Sequence, residues 1–403
     1  MRVLLSTYGS RGDVEPMVAL AVRLQTLGAQ AEVCAPEDEE FAERLASLGV
    51  PFTPVKMSVR AMASGKPAPE DLPARAAALV AAQAEAIASK AQQCDAIVAT
   101  GLIPAAAGAR SIAEKLNIHY TYVAYFPTML PSPHHPPYAL PGRPHPADVT
   151  DNQALWNLNA ANMNALFGPG VNAHRQSIAL PPVADIGKYV YTQQPWLAAD
   201  PMLAPWQEPA ALDVVQTGAW FMPDERPLPA ELVAFLDAGS PPVYVGFGSM
   251  SMHAAKDAAQ VAIEAVRAQG HRVLLSRGWA NLAVIDQQDD CFAVGEVNHQ
   301  ALFGNVAAVV HHGGAGTTTT ATRAGAPQVI VPQLVDQPYW AARVAELGIG
   351  AAHDGPVPTV ESLSTALGVA LASETKKRAA IVADKISTDG TEIAAKLLLD
   401  RSA

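Results

Sequence analysis

The chain has few cysteines, few basic residues and no long hydrophobic run, and each shortage excludes a class of protein. Only three of its 403 residues are cysteine, an odd and sparse set that gives neither a disulfide framework nor a metal-binding spacing. Cys34, Cys94 and Cys291 lie in or beside apolar stretches. We interpret them as small buried side chains of a protein from a reducing compartment.

The charge balance disfavours a nucleic-acid partner. Asp and Glu number 38 against 27 Lys and Arg, a net charge of −11, and no basic stripe can neutralise phosphates. This balance leaves room for one anionic small molecule, which needs only local donors. No run of about 18 apolar residues predicts a membrane span, and the N-terminus lacks the features of a signal peptide. We expect a soluble cytoplasmic protein.

Short apolar strands alternate with helical patterns in both halves of the chain. Examples are Arg2–Ser6 and Ala96–Thr100 in the first half, and Val243–Phe247 and Val309–His311 in the second. This alternation is typical of parallel β-α-β units. It predicts an α/β fold with two Rossmann-like, doubly wound parallel-sheet domains, which bind ligands outside the carboxyl ends of their strands. We expect the domains to face a central cleft.

Two shifts in composition interrupt this alternation. Residues 126–150 form a proline-packed loop, and we interpret it as a flap that contacts the substrate. The histidine spacing in this loop fits no standard metal site. A second stretch rich in proline and tryptophan joins the halves. We predict a first domain over 1–205, a linker over 206–225 and a second domain over 226–403, with the C-terminal helix able to pack back on the first.

The turn GSRGD, residues 9–13, joins the first strand to a helix near Pro16–Leu27. Asp13 stands before this helix, where aspartate readily caps the free N–H groups. The turn also lies at the carboxyl end of a strand, where ligands bind in such sheets. From the residues alone, capping and a place in the site both stay open.

The most informative stretch is VVHHGGAGTTTTATRAGAPQVIVPQLVDQP, residues 309–338. A strand runs through a glycine-rich turn into a helix, whose N-terminus suits a phosphate or diphosphate. His312 and Thr317 add side-chain donors, although an ordinary strand–turn–helix connection is the alternative. Downstream, Asp336 and Gln337 pair an acceptor with an amide, which suits neighbouring sugar hydroxyls. Capping of the following helix explains Asp336 equally well.

The stretch HHGGAGTTTTATRAGAPQVIVPQLVDQPYWAARVAELGIG closely resembles the donor-binding signature of GT-B glycosyltransferases of family 1. The similarity extends through MRVLLSTYGSRGDVEPMVALAVRL, PVYVGFGSM, VLLSRGW and FAVGEVNHQALF, and it covers nearly the whole chain. Within this family, the segments PSPHHPPYALPG and LPPVADIGKYVYTQQPWLAADP are most similar to enzymes that glycosylate the heptapeptide aglycones of vancomycin- and teicoplanin-type antibiotics. The resemblance implies the GT-B fold.

The resemblance also implies roles for individual residues. Asp13 matches the base that deprotonates the acceptor hydroxyl, Ser10 lies beside the acceptor, and Arg11 and Gly12 approach the donor diphosphate. The matching donor-binding positions of the second domain are Ser249, Arg277, Gly278, Trp279, Val297, His312, Gly313, Gly314, Gly316, Thr317, Asp336 and Gln337. The expected acceptor contacts in the proline-rich loop are His134, His135 and Tyr138. The run Thr317–Thr320 departs from the family pattern after its first two residues.

The implied reaction is an inverting transfer of a hexose from a nucleotide sugar, with UDP-glucose favoured, to a phenolic hydroxyl of the aglycone. Hydroxyphenylglycine residue 4 is the favoured acceptor position. No cofactor or metal ion is implied, and we expect a monomer. Alternatives within the class are N-acetylglucosamine or a TDP-deoxysugar as donor and a sterol or macrolide as acceptor. A catalytically silent sugar-nucleotide-binding partner and a sugar-nucleotide epimerase are the alternatives of another kind.

Overall fold

The computed structural model describes residues 1–64, 71–140, 143–247, 258–277 and 288–400. The chain forms two compact units. The first contains Met1–Asp200, Pro205–Met222 and the C-terminal segment from Ser387, and the second contains Pro201–Ala204 and Pro223–Ile386. Most of the predicted linker therefore lies in the first unit, and the last helix groups with the first unit instead of the second.

The first unit is built on a seven-stranded parallel sheet with the order β3-β2-β1-β4-β5-β6-β7. Its strands are β1 (Arg2–Ser6), β2 (Gln30–Pro36), β3 (Phe52–Val55), β4 (Ala96–Ala99), β5 (His119–Ala124), β6 (Trp196–Leu197) and β7 (Val215–Gln216). Its helices are α1 (Arg11–Thr26), α2 (Glu39–Ser47), α3 (Val59–Ser64), α4 (Leu72–Ala91), α5 (Ile103–Leu116), α6 (Asn152–Ser177), α7 (Ile186–Tyr191) and, at the C-terminus, α15 (Gly390–Asp400).

The second unit holds a six-stranded parallel sheet with the order β10-β9-β8-β11-β12-β13. Its strands are β8 (Val243–Gly246), β9 (Val273–Ser276), β10 (Cys291–Val294), β11 (Ala308–His311), β12 (Gln328–Ile330) and β13 (Gly350–Ala352). Its helices are α8 (Ala230–Asp237), α9 (Ala258–Ala268), α10 (His299–Leu302), α11 (Ala315–Arg323), α12 (Gln337–Glu346), α13 (Val360–Ala370) and α14 (Ser373–Ala383).

These orders confirm the prediction of two doubly wound parallel sheets. In each sheet the winding direction reverses beside the first strand, between β1 and β4 and between β8 and β11. Ligands of such sheets bind at this reversal, outside the carboxyl ends of the strands. The turn after β11 is HGG. After β1 the turn ends at Ser10, and Arg11–Asp13, which were expected before the helix, form the first turn of α1. Each informative stretch lies at a reversal point. The predicted cleft between the domains stays a prediction.

Buried apolar side chains on both faces of the sheets explain why these segments form strands. In β1, Leu4 and Leu5 are fully buried, and α1 turns the face containing Met17 and Leu20 into the same core. The core also takes in Leu398 of α15, and an Arg23–Glu392 ion pair links α1 with that helix. Among the described helices, none is long and apolar enough to cross a membrane.

The loop predicted over 126–150 is irregular, as expected from its prolines. It contains a 3-10 turn at Pro127–Met129 and an isolated antiparallel bridge between Leu140 and Arg143. The Trp156 indole on α6 donates a hydrogen bond to the carbonyl of His135 at 3.0 Å, which fastens the loop to that helix.

Candidate active site

At the reversal point of the first sheet, α1 begins with a reciprocal capping arrangement. Oδ2 of Asp13 accepts a hydrogen bond from the Ser10 amide at 2.8 Å, and Oγ of Ser10 accepts one from the Gly12 amide at 3.3 Å. The Ser10 hydroxyl also donates to Oδ2 of Asp13 at 3.4 Å. Asp13 therefore caps α1, and its further action as a base stays a prediction.

The position of the Asp13 carboxylate depends on the residue at position 9. Gly9 is buried, and a Cβ built there would collide with Oδ2 of Asp13. The backbone carbonyl of Asp13 accepts hydrogen bonds from the hydroxyls of Thr7 and Tyr125, both at 3.4 Å. The backbone of Asp13 is therefore held by the residue that follows β1 and the residue that follows β5, and its carboxylate by the Ser10 amide.

Arg11 extends from the first turn of the same helix. Its Nε lies 3.5 Å from Oε1 of Glu15, one helical turn along, and Glu15 is in turn paired with Arg44 at 3.2 Å. The Arg11 side chain is 41 % exposed, so solvent competes with this pair. Its predicted contact with a diphosphate stays a prediction.

In the proline-rich loop, the histidine rings contact the protein itself. Nε2 of His134 lies 3.0 Å from the carbonyl of Pro209. The His135 ring packs edge-on against Trp156 and Trp206, with centroid distances of 6.1 and 5.9 Å, and burial lowers its pKa. His135 is therefore held neutral near pH 7, in an aromatic setting. Contact of either ring with an acceptor stays a prediction.

Tyr138 contacts the first residues of this loop. Its amide donates to the carbonyl of Thr128 at 3.2 Å, and its ring packs edge-on against Phe126 at a centroid distance of 5.9 Å. Burial raises the pKa of its phenol to about 12. Tyr138 is therefore a neutral hydroxyl, and its predicted contact with the acceptor stays untested.

At the reversal point of the second sheet, a buried polar network holds the glycine-rich turn. Nε2 of His311 lies 2.9 Å from Oε1 of Gln328, and Nδ1 of His311 accepts a hydrogen bond from the Gly313 amide at 3.1 Å. Nε2 of Gln328 donates to the hydroxyl of Thr322 at 2.9 Å. Because Nδ1 is an acceptor, the ring carries its proton on Nε2. Burial lowers the His311 pKa to about 3, so the ring is neutral.

Gly313 has the backbone conformation that the turn requires. Its φ is +93°, and a Cβ would lie 2.6 Å from a methyl carbon of Ile330. A side chain at this position would be both strained and in collision. The sequence HHGG thus fixes the path of the chain from β11 into α11.

The start of α11 has no cap from its own N-cap residue, although the Asp336 carboxylate bonds to the Ala315 amide. Its N-cap residue is Gly314, which has no side chain to accept from the amides of the first turn, including those of Gly316 and Thr317. His312 lies beside them; burial lowers its pKa to about 4, and Nδ1 is a buried atom with no hydrogen-bond partner in the described part of the chain. This arrangement of donors suits a phosphate group.

The four threonines of α11 are not equivalent. The hydroxyls of Thr318, Thr319 and Thr320 donate to the carbonyls of Gly314, Ala315 and Gly316 at 2.8–2.9 Å. Within the described residues, the hydroxyl of Thr317 makes no hydrogen bond. Thr317 is therefore the threonine of the run whose hydroxyl is left to face a ligand. The departure from the family pattern at the later threonines concerns side chains that bond to their own helix.

Asp336 and Gln337 stand at the start of α12. Burial raises the pKa of Asp336 to about 6, against the opposing effects of the Trp340 indole and the Ala315 amide. Oε1 of Gln337 accepts from the amides of Gln333 and Leu334 at 2.7 and 3.2 Å. The Gln337 oxygen is thus used within the loop, and only its amide nitrogen is left to donate. Asp336 makes no side-chain cap, so the capping alternative is wrong for its carboxylate.

The remaining predicted donor contacts are less defined. Arg277 follows β9 and is exposed, with its amide donating to the carbonyl of Val294 at 2.9 Å. Val297 follows β10 and is buried. Ser249, Gly278 and Trp279 lie outside the described residues.

Sequence reasoning missed the residues that support the donor-side groups. His311, Gln328 and Trp340 lie behind the residues expected to meet a ligand. Two sequence features could have indicated His311 and Gln328. One is the histidine doublet before the glycines, and the other is the glutamine at the start of the apolar strand QVIV. Across the described residues, no group of three or more His, Cys, Asp or Glu side chains is placed to hold a metal ion.

Comparison with known proteins identifies the relatives of this chain. Residues 3–132 match the glycosyltransferase family 28 N-terminal domain, and residues 282–398 match the C-terminal domain of erythromycin biosynthesis protein CIII-like proteins. The chain is 57 % identical to the vancomycin aglycone glucosyltransferase of Amycolatopsis orientalis, over 99 % of this chain and 97 % of the relative. It is 53 % identical to the dTDP-epi-vancosaminyltransferase of the same organism, with the same coverage.

A solved structure shares the fold at low sequence identity. The glycosyltransferase of kitacinnamycin superposes with a TM-score of 0.72 at 17 % identity, over 98 % of this chain and 97 % of the other.

Proposed function

We propose a function from the premise that this chain belongs to the glycosyltransferase family of the vancomycin aglycone glucosyltransferase. It transfers glucose from UDP-glucose to a phenolic hydroxyl of a glycopeptide heptapeptide aglycone, with hydroxyphenylglycine residue 4 as the acceptor. The observation that carries this proposal is the 57 % identity to that glucosyltransferase over 99 % of the chain. At this identity the GSRGD and HHGGAG turns both lie within the aligned length.

The proposed reaction is a single displacement with inversion at the anomeric carbon. The phenolic oxygen forms a bond to that carbon while the bond to the β-phosphate oxygen breaks, and the electron pair leaves with UDP. Asp13 takes the phenolic proton as it is lost. A phenol has a pKa near 10, so a carboxylate can assist its deprotonation late in the transition state.

Donor binding is assigned to the second unit. The uncapped amides of α11, with Thr317 and neutral His312, hold the diphosphate and stabilise the charge that develops on it as it leaves. Asp336 accepts from a sugar hydroxyl, and the Gln337 nitrogen donates to a neighbouring one. This scheme uses no metal ion.

A transfer assay read by mass spectrometry tests the proposal. The protein is mixed with a vancomycin-type aglycone and, separately, with UDP-glucose, UDP-N-acetylglucosamine and a TDP-deoxysugar, each with and without EDTA. We expect a gain of one hexose with UDP-glucose, unchanged by EDTA, and nearly lost in Asp13→Ala. Fragmentation locates the sugar, and the anomeric coupling in the proton spectrum reports a β-linkage if the reaction inverts. Absence of product with all three donors, or product formation that EDTA abolishes, contradicts the proposal.

One alternative has a specific observation in its favour. The 53 % identity to a dTDP-epi-vancosaminyltransferase supports a TDP-deoxysugar as donor. The TDP arm of the assay decides between the two donors. We further propose that the enzyme acts in the cytoplasm as a monomer; light scattering should then give a mass near 42.2 kDa, and cell fractionation tests the location.

A further inference from the structure

Asp336 occupies an unusual position for an aspartate at a helix start. It is the N-cap residue of α12, yet its φ and ψ of −84° and −15° are helical, and its carboxylate bonds to no amide of that helix's first turn as a side-chain cap. The preceding residue, Val335, has a φ of +57°, a left-handed conformation that is costly for a β-branched side chain. The backbone is therefore strained at this point, and the carboxylate is directed away from the first-turn amides of α12.

One partner of this carboxylate is an indole from the next turn of the helix; the amides of Ala315, at the start of α11, and of Asp336 itself also bond to it. Nε1 of Trp340 donates to Oδ2 of Asp336 at 2.8 Å. Trp340 is 1 % exposed, so its ring has a single setting in the packed interior. An indole N–H is a donor only, and it therefore binds the ionised carboxylate and fixes one of its two oxygens.

We propose that Trp340 is a positioning residue for donor recognition: by holding Oδ2 of Asp336, it keeps this carboxylate ionised and directs it toward a hydroxyl of the transferred sugar. This inference rests on the proposed function, which makes Asp336 a sugar contact. It adds a residue that touches no substrate and acts through its hydrogen bond to Asp336.

The groups next to Asp336 whose pKa is shifted keep their charge constant near pH 6. His311 and His312, before α11, have pKa values lowered to about 3 and 4 and are neutral there. On α12 itself, the Tyr339 phenol has a pKa raised to about 12 and is also neutral. Arg343 on α12 bonds to the carbonyls of Met202 and Leu203 and to Glu346. His353, after β13, bonds to Gly355 and Ser362. Arg323 lies at the far end of α11.

Calorimetric binding of UDP-glucose and of UDP, from pH 5 to pH 8, separates this role from a structural one. In the wild type, affinity for UDP-glucose, whose phosphates do not titrate in this range, should fall as the pH drops below about 6, because Asp336 then loses its charge. The terminal phosphate of UDP itself titrates near pH 6, so UDP affinity is compared between variant and wild type at each pH. In Trp340→Phe the midpoint should move up by about one pH unit, since a donor to the carboxylate is lost. UDP affinity should stay within about twofold of the wild type.

Trp220→Phe is the matched control. Its indole is 4 % exposed and donates to the hydroxyl of Thr217 at 3.0 Å, so this variant loses a buried N–H bond to a neutral partner. We expect no change in the pH midpoint. Unchanged UDP-glucose affinity and midpoint in Trp340→Phe would overturn the role of Trp340. A wild-type affinity for UDP-glucose that does not depend on pH would instead overturn Asp336 as the sugar contact, which belongs to the proposed function.

A second measurement uses the wild-type protein and does not depend on the folding of Trp340→Phe. Among the indole N–H resonances of the six tryptophans, one should shift with a midpoint near pH 6, and the shift should be absent in Asp336→Asn. Absence of any indole resonance that titrates in this range would overturn the proposal.

Discussion

Replacing Asp13 by asparagine separates the two roles that this side chain combines. Asparagine is nearly isosteric with aspartate, and its amide oxygen can still accept from the Ser10 amide that Oδ2 now binds at 2.8 Å. It cannot take a proton from a phenol. The substitution therefore keeps most of the capping arrangement and removes the proposed base.

The two roles predict effects of very different size. Asp13→Ala removes the Asp13 half of the capping box and leaves the Ser10 cap, so it costs at most about 1 kcal/mol, which lowers the melting temperature of a unit of this size by at most about 2–4 °C. Asp13→Asn should lower it by less than half of that. Both variants should lose about 10²–10⁴-fold in kcat, because general base catalysis contributes that factor. The assay is initial-rate kinetics with aglycone and UDP-glucose, next to thermal unfolding.

Thr359→Ala is the control for stability. Thr359 caps α13 in the same reciprocal way, with the Ser362 amide donating to its hydroxyl at 3.1 Å and its own amide donating to Ser362 at 2.9 Å. Thr359 is the N-cap residue itself, so its loss should lower the melting temperature at least as much as Asp13→Ala and leave kcat within about twofold. If folded Asp13→Asn retains more than about a tenth of the wild-type kcat, Asp13 is a cap and not the base.

Three further substitutions test the supports of the site. Gly9→Ala should lower kcat at least tenfold in initial-rate assays, because its Cβ displaces the Asp13 carboxylate; wild-type kcat would contradict this. Gln328→Leu leaves His311 without its acceptor, so unfolding should show a loss of about 1–3 kcal/mol and calorimetry weaker UDP binding. Glu114→Gln weakens the bidentate pair with Arg175, whose pairing lowers the Glu114 pKa below 4.5. That pair stabilises the fold above pH 4.5 and is lost on acidification, so this variant should lose less stability than the wild type in acid unfolding.

Hydrophobic periodicity predicted most of the architecture. The strands β1, β4, β8 and β11 all begin within two residues of their predicted positions, because each is a short apolar run bounded by turn residues. The 26-residue helix α6 was not predicted. It carries asparagines, a proline and two glycines and has a weak apolar face, and packing against α4 overrides these local preferences.

The short strands β6 and β7 show a second limit. Each has only two residues, so no alternation pattern can reveal them. Assignment of the C-terminal helix to the first unit depends on long-range contacts of Leu398 and Glu392 with α1, which a local pattern does not contain.

A motif names some of the candidate residues directly, as with Asp13, His312 and Asp336, whose contact with a ligand stays a prediction. The supporting residues were missed because their function lies in one hydrogen bond across the fold, such as Gln328 to His311 or Trp340 to Asp336. The run of four threonines likewise does not show which of their hydroxyls donate to carbonyls of the same helix. Only the helical geometry shows that Thr317 differs from the residues after it.

The first-turn amides of the helices at the two reversal points have different surroundings. In α1 the side chains of Ser10 and Asp13 occupy them, and the charge of Asp13 repels an anion. In α11 the N-cap is Gly314, whose φ and ψ of −64° and 140° suit an aspartate as well. A glycine there gives up a few tenths of a kcal/mol of helix stability; the Ala315 amide bonds to Asp336, and the amides of Gly316 and Thr317 are left for the proposed phosphate.

Gly314→Asp tests this contrast. The new carboxylate should cap α11 and add negative charge where the diphosphate is proposed to bind, so UDP affinity should fall at least about a hundredfold while stability is kept. A Cβ at this position comes within 2.8 Å of Nε2 of His312, so the imidazole must shift in any variant. Gly314→Ala makes the same steric demand without cap or charge, and it should lose much less affinity. Equal losses in the two variants would show that the His312 contact matters and the open helix end does not.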